Sequence, residues 1–262
     1  MTSTLMGLLL YGLPGCGKSL MAQAIAGTAD RRHRSVVPSD LTSMWLGEGV
    51  TKTRELFDWA IKNSPCVLII DELDGIGTQR QEYNMHSDEK RQVNELLTQL
   101  DRISNKGVVV VATTNYLRGI DTAVQRSGRF DLKVAVFPPN KSDRAAIFKF
   151  YLRILRQFTG ITDGGTEEFL EELAEISPLF SPADIKAAVH SAARRGVRDP
   201  EGPILTEQIL RDSVRGKMPS IRVGMAQDWL NQMAQESLSD QSEIEALQQD
   251  IEIVRNRAAG IS

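Results

Sequence analysis

The stretch GLPGCGKS, from Gly12 to Ser19, holds the pattern G-x-x-x-x-G-K-[ST]. Its glycines let successive backbone N–H groups turn inward around an anion. Lys18 adds a point charge for β- and γ-phosphates, and Ser19 offers a hydroxyl to Mg²⁺. A helix starting near Lys18 aims its positive end at the same phosphates. The stretch VLIIDE (67–72) delivers Asp71 and Glu72 at the carboxyl end of an apolar run. Asp71 can hold Mg²⁺ through water, and Glu72 can polarise an attacking water. Phosphoryl transfer to a substrate hydroxyl does not need the second acid; hydrolysis does. VVVVATTN ends at Asn115, whose amide can orient that water, although asparagines also start turns. In IDTAVQRSGRFD (120–131), Arg126 and Arg129 stand three apart. Arginine stabilises charge on a transferring phosphoryl group, and it also anchors surface loops through ion pairs.

Positioning these groups requires alternating strands and helices. Apolar, β-branched runs recur as LLLY (8–11), SVV (35–37), CVLII (66–70), VVVVA (108–112) and VAVF (134–137). Between them lie helical patterns. TRELFDWAIKN pairs Leu56 with Ala60 and Phe57 with Ile61, and EKRQVNELLTQLD puts Val93, Leu96, Leu97 and Leu100 on one side. Strand–helix alternation predicts a parallel sheet covered on both faces. FPPN (137–140) ends the pattern, and helices alone follow to about residue 222, with Ser142 and Ser181 as expected caps and Pro182 in a first helical position. The predicted organisation is an α/β nucleotide-binding domain over 1–139, a helical domain over 140–222 and a tail over 223–262. In the tail, Ile244, Leu247, Ile251 and Val254 mark one amphipathic segment, a helix docked on its own domain or a frayed end.

Hydrophobic and charged shares of 41% and 25% fit a globular chain, and a net charge of −3 gives no broad footprint for nucleic acid. The basic clusters RRHR (31–34) and RRGVR (194–198) read as solvated surface. Two cysteines, Cys16 and Cys66, argue against a disulfide framework. No run reaches the roughly 18 apolar residues of a membrane helix. A secretory leader is not evident either, so the expected location is the cytoplasm and no membrane partner is expected.

In this order the motifs resemble the AAA+ ATPases, AAA subfamily, from about residue 5 to about residue 220. GLPGCGKS stands for Walker A, VLIIDE for Walker B, Asn115 for sensor 1 and IDTAVQRSGRFD for the second region of homology. SPAD (181–184) resembles the lid motif S-G-A-D. Residues 44–76 look like the second ATPase ring of valosin-containing protein. The resemblance implies a P-loop NTPase sheet of five parallel strands in the order 5-1-4-3-2, with a small helical lid. It also implies a ring, usually hexameric, that hydrolyses ATP with Mg²⁺ at subunit interfaces, with Arg126 and Arg129 acting in trans. Nucleotide contacts carry over to Gly12, Pro14, Gly15, Cys16, Gly17, Lys18, Ser19, Leu20, Tyr151 and Ala183, and metal contacts to Ser19 and Asp71. Met44, Trp45 and Leu46 match a pore loop that grips an extended polypeptide, and QEYNMHSDE (81–89) would form a second.

Some features depart from the family pattern. Pro182 stands where the lid motif has glycine, near the adenine. Only eleven residues precede Gly12, where family members carry a segment lining the adenine pocket, so weakened base contacts are expected. No H-E-x-x-H occurs and the histidines are His33, His86 and His190, so the membrane-protease branch with its zinc peptidase is set aside. The leading expectation is a protein remodeller or unfoldase threading polypeptide past Trp45, with or without an adaptor. Its rivals are a nucleotide-controlled assembly subunit of slow turnover and a nucleic-acid motor, the latter disfavoured because Trp45 is flanked by Met44, Leu46 and Glu48 rather than by basic residues.

Overall fold

The computed structural model describes residues 6–41, 48–76, 87–155, 165–196, 205–236 and 241–259. The chain divides into two units: Met1–Gly12 with Lys18–Val136, and Leu13–Gly17 with Phe137–Ser262.

The first unit is built on β1 (Gly7–Gly12), β2 (Arg32–Val36), β3 (Cys66–Ile70), β4 (Val108–Thr114) and β5 (Leu132–Val136). These strands form one parallel sheet in the order β2-β3-β4-β1-β5, the expected order read from the other edge. Every residue of β1 and β3 is buried, as a sheet covered on both faces requires. The helices are α1 (Lys18–Thr28), α2 (Pro38–Leu41), α3 (Glu48–Lys62) and α4 (Ser87–Arg102). In α3 the buried Thr53, Leu56, Phe57 and Ala60 repeat at helical spacing, with Glu48 in the first turn and Lys62 in the last, each opposing the local end of the helix dipole. In α4 the expected stripe of Val93, Leu96, Leu97 and Leu100 is buried. A fork of Arg54 on Glu95, at 2.7 and 2.9 Å, ties α3 to α4.

The edge strand β2 begins three residues earlier than the apolar run SVV suggests. Most of the RRHR cluster is strand: Arg32, His33 and Arg34 are exposed along it. Arg34 lies 5.6 Å over the Trp59 ring, and Arg32 donates to Asn63 at 2.9 Å. Charge of this kind keeps an open edge from pairing with another chain.

The second unit holds α5 (Lys141–Ile154), α6 (Glu167–Ile176), α7 (Pro182–Gly196), α8 (Glu207–Arg215), α9 (Val223–Glu236) and α10 (Gln241–Ala258). Phe148, Leu152, Leu173, Ile185, Val189 and Leu210 lie in one shared core of α5 to α8. Asn140, not Ser142, caps α5: its side chain accepts from the Asp143 N–H at 2.9 Å, which places Ser142 inside the first turn. Ser181 does cap α7.

Among its described residues the tail contains two helices where the sequence pattern gave one. Trp229, Leu230 and Met233 of α9 and Leu247 and Ile251 of α10 are buried. The amphipathic segment docks on its own domain through Asp250, which pairs with the buried Arg144 of α5. Arg144 also donates to the carbonyls of Ala174 and Pro139, and Asp250 accepts from the Leu179 N–H at 3.1 Å. The burial of a charge pair is tolerated only when its other hydrogen-bonding atoms are met, as they are here.

Candidate functional site

In the first unit the chemical groups gather at the carboxyl ends of β1, β3 and β4. Gly12 ends β1 so close to β5 that a Cβ there would sit 2.2 Å from the Val136 carbonyl oxygen, which admits glycine alone. Lys18 opens α1, is buried, and donates to the Gly12 carbonyl at 3.0 Å. Ser19 Oγ donates to Asp71 Oδ1 at 2.8 Å. Asp71 follows β3 directly, its N–H continuing the ladder to the Val36 carbonyl at 2.9 Å.

Ser19 would hold Mg²⁺ by its hydroxyl oxygen, and Asp71, hydrogen-bonded to that hydroxyl, would hold it through water. Among the described residues no cluster of three or more His, Cys, Asp or Glu side chains could hold a metal. One hydroxyl and one carboxylate is the sparse donor set of an ion that keeps its waters and takes phosphate oxygens.

Glu72 is exposed and its backbone is left-handed, with φ 54° and ψ 49°. A non-glycine residue pays for that conformation and holds it only under outside restraint. Here the Glu72 N–H donates to Thr113 Oγ1 at 3.0 Å, and the Glu72 carbonyl accepts from the Gly75 N–H at 2.9 Å. Asn115 lies one residue past β4, exposed, and its side chain makes no hydrogen bond among the described residues.

The two arginines differ. Arg126 is exposed and its side chain makes no hydrogen bond or ion pair among the described residues. Arg129 is fixed within its own chain: it forks onto Asp101 at 2.7 and 2.8 Å and donates to the Ala123 carbonyl. The pairing raises the guanidinium pKa and holds the Asp101 carboxyl below its usual range, in each case chiefly through the shared hydrogen bond. Asp131 fastens the same loop by accepting from Gly128 and Met6 N–H groups, which hold its pKa down.

The second unit contains the rest of the phosphate loop. Gly15 and Gly17 have φ of 78° and 93°, left-handed values that L side chains resist. Pro14 is exposed and Cys16 buried. A Cβ on Gly15 would meet Ser181 Oγ at 2.9 Å and the Ala183 Cβ at 3.4 Å, so the loop and the SPAD motif are neighbours. SPAD is a reciprocal cap. Ser181 Oγ accepts from the Asp184 N–H at 3.1 Å, and Asp184 Oδ2 accepts from the Ser181 N–H at 3.0 Å. The same oxygen takes the Ser220 N–H at 3.0 Å and its hydroxyl at 2.6 Å, and Lys217 stands 3.2 Å from Oδ1. Burial alone would raise the Asp184 pKa, but the bonds from Ser220 and Ser181 together hold it below the usual value. Tyr151 on α5 stands edge-on to His190 of α7, with ring centres 6.4 Å apart. Ala183 and, in the first unit, Leu20 are exposed.

Met44, Trp45 and Leu46 lie outside the described residues, as does the segment 77–86. Motif spacing does not single out Thr113, which bonds both Asp71 and Glu72; its signal is the pair of threonines ahead of Asn115.

Residues 8–137 match the family described as ATPase family associated with various cellular activities (AAA). Residues 8–137 are an AAA ATPase domain. The chain is 37% identical over 194 residues to an ATP-dependent zinc metalloprotease YME1 homolog of Caenorhabditis elegans, covering 74% of this chain and 26% of that protein. It is 38% identical over 195 residues to ATP-dependent zinc metalloprotease FtsH 3 of Symbiobacterium thermophilum, covering 73% and 30%. It is 38% identical over 188 residues to human ATP-dependent zinc metalloprotease YME1L1, covering 70% and 24%. The chain thus spans less than a third of the length of these relatives. Their names correct one expectation. The lack of H-E-x-x-H does not set this chain apart from the metalloprotease branch, because that motif reports on a peptidase site and not on a phosphate site. Among the described residues, no helix is long and apolar enough to cross a membrane.

Proposed function

We propose that the chain is a Mg²⁺-dependent ATP hydrolase whose AAA module works in a ring, usually hexameric, to remodel or unfold polypeptides. The observation that carries the reading is the 2.8 Å approach of Ser19 Oγ to Asp71, with Glu72 the next residue in a left-handed turn. Metal-binding oxygens and a candidate base are thereby supplied at one sheet edge. Loop N–H groups from Gly15 to Lys18 and the Lys18 ammonium bind the triphosphate, and Ser19 and Asp71 hold Mg²⁺. When bound there, Mg²⁺ would supply neutralisation of charge on the phosphate oxygens. Glu72 takes the proton of the attacking water, and Asn115 orients that water. Arg126, exposed and unengaged among the described residues, serves a neighbouring subunit, while Arg129 supports its loop through Asp101.

Nucleotide contacts by Leu20 in the first unit, and by Tyr151 and Ala183 in the second, are part of the same reading. So is a pore loop of Met44, Trp45 and Leu46, which extends the likeness to the second ring of valosin-containing protein. The zinc metalloproteases among the relatives favour polypeptide as the substrate. The test is Glu72→Gln. It should abolish hydrolysis of Mg²⁺-ATP and keep ATP binding; turnover like that of the wild type would remove Glu72 from the mechanism.

A further inference from the structure

Thr113 lies on β4 between two groups that the proposed hydrolysis uses. Its side chain is buried. Its hydroxyl donates to Asp71 Oδ1, the oxygen that also accepts from Ser19. The same hydroxyl accepts from the Glu72 N–H at 3.0 Å. A hydroxyl has one proton to give, so donation to Asp71 leaves its lone pairs for the Glu72 amide. The branch at Cβ restricts χ1, which aims the hydroxyl from a strand that is itself paired to β1 and β3. One stiff side chain therefore touches the carboxylate assigned to the metal and the amide of the residue assigned to the water. The left-handed turn at Glu72 needs such a restraint to persist. The next residue does different work: Thr114 donates to Asp74 at 2.9 Å and accepts from the Tyr116 N–H at 3.0 Å.

We propose that Thr113 is a positioning residue: its hydroxyl fixes the Asp71 carboxylate and the left-handed Glu72 turn in a single geometry for metal-assisted hydrolysis. This inference rests on the ATPase reading above. Valine would fill the same space and supply neither bond. The Glu72 amide would then lose its acceptor and Asp71 one of its donors. A hydrogen bond to a charged group shifts an equilibrium by roughly tenfold or more.

The experiment compares the whole chain with Thr113→Val, Thr113→Ala and Thr113→Ser. Three readouts are taken: hydrogen exchange of the Glu72 amide without nucleotide, ATP affinity in Mg²⁺ and in chelator, and the Mg²⁺ dependence of turnover. In Thr113→Val the Glu72 amide, which loses a bond between neutral groups, should exchange about 2- to 10-fold faster. The gain in ATP affinity on adding Mg²⁺ should fall by roughly tenfold or more, since Asp71 loses a bond to its charged group, with affinity in chelator unchanged, and half-maximal turnover should need more Mg²⁺. Thr113→Ser should restore all three. Unchanged Glu72 exchange with an unchanged Mg²⁺ gain overturns the proposal, as does a serine variant as defective as the valine. Should the valine variant not fold, serine against alanine decides between the same outcomes. If the wild-type chain itself hydrolyses no ATP, the ATPase reading fails on that observation, while Glu72 exchange and the Mg²⁺ gain still judge the role of Thr113.

Discussion

Removing the Asp250 carboxylate should unfasten the C-terminal helix and destabilise the unit that contains the SPAD motif. Arg144 is buried, and all of its N–H-bearing nitrogens are engaged: Nη1 and Nη2 reach Asp250, Nε and Nη2 the Ala174 carbonyl, and Nη1 the Pro139 carbonyl. Asp250→Ala leaves that buried guanidinium charged without its paired carboxylate, a loss of about 3–5 kcal/mol for a buried pair. It also strands the Leu179 N–H, worth roughly another 1 kcal/mol. The Ala174 and Pro139 carbonyls remain as partial compensation, so the total should stay near about 3–5 kcal/mol. With a urea m-value of about 2 kcal/mol/M, the midpoint should fall by about 1.5–2.5 M. The assay is urea denaturation read by hydrogen exchange on peptides from α5, α6 and α10. Arg144→Met combined with Asp250→Ala should cost less than the two single changes added together, because the uncompensated charge is gone. A midpoint shift below about 0.5 M for Asp250→Ala, or strict additivity of the pair, would refute the reasoning.

The acid response of Asp184 has a defined sign. Its folded pKa is lowered, so its contribution is complete above the unfolded value of about 3.9 and fades as pH falls through the folded value beneath it. Asp184→Asn should therefore lose about 1–3 kcal/mol at neutral pH, and denaturation series should show the gap to wild type closing below about pH 4. Arg126→Ala should cut ATP turnover by about 10³-fold or more with an unchanged melting temperature, whereas Arg129→Ala should lower both. Turnover should return when Arg126→Ala subunits are mixed with Glu72→Gln subunits; no rescue in verified mixed oligomers would point to action within one subunit. Gly15→Ala forces a Cβ to 2.9 Å from Ser181 Oγ at φ 78°, so nucleotide titration should show weaker ATP binding in a protein that still folds.

The sequence by itself determined the sheet and the identity of the chemical groups. The runs CVLII and VVVVA coincide with β3 and the body of β4, because strands buried on both faces must be continuously apolar. The spacing G-x-x-x-x-G-K-S is a local geometry, carried by glycine φ values and a helix start, so it reads directly from neighbouring residues. The stripe of α4 is equally local, a repeat of one helix face. Tertiary structure decided the rest. That Arg129 is held by Asp101, 28 positions earlier, while Arg126 is not, depends on where α4 runs and not on the motif that contains both arginines. The docking of α10 depends on Asp250 meeting Arg144 across 106 positions; a mostly polar helix with a short apolar stripe gives no sign of its partner. Thr113 is a plain strand residue in the sequence and acquires its bonds only because β3 and β4 are paired in register, Ile70 against Ala112, with Asp71 and Thr113 next. Periodicity records which face of an element is buried. Which polar atom meets which is set by long-range register, and a single chain of letters does not carry that information.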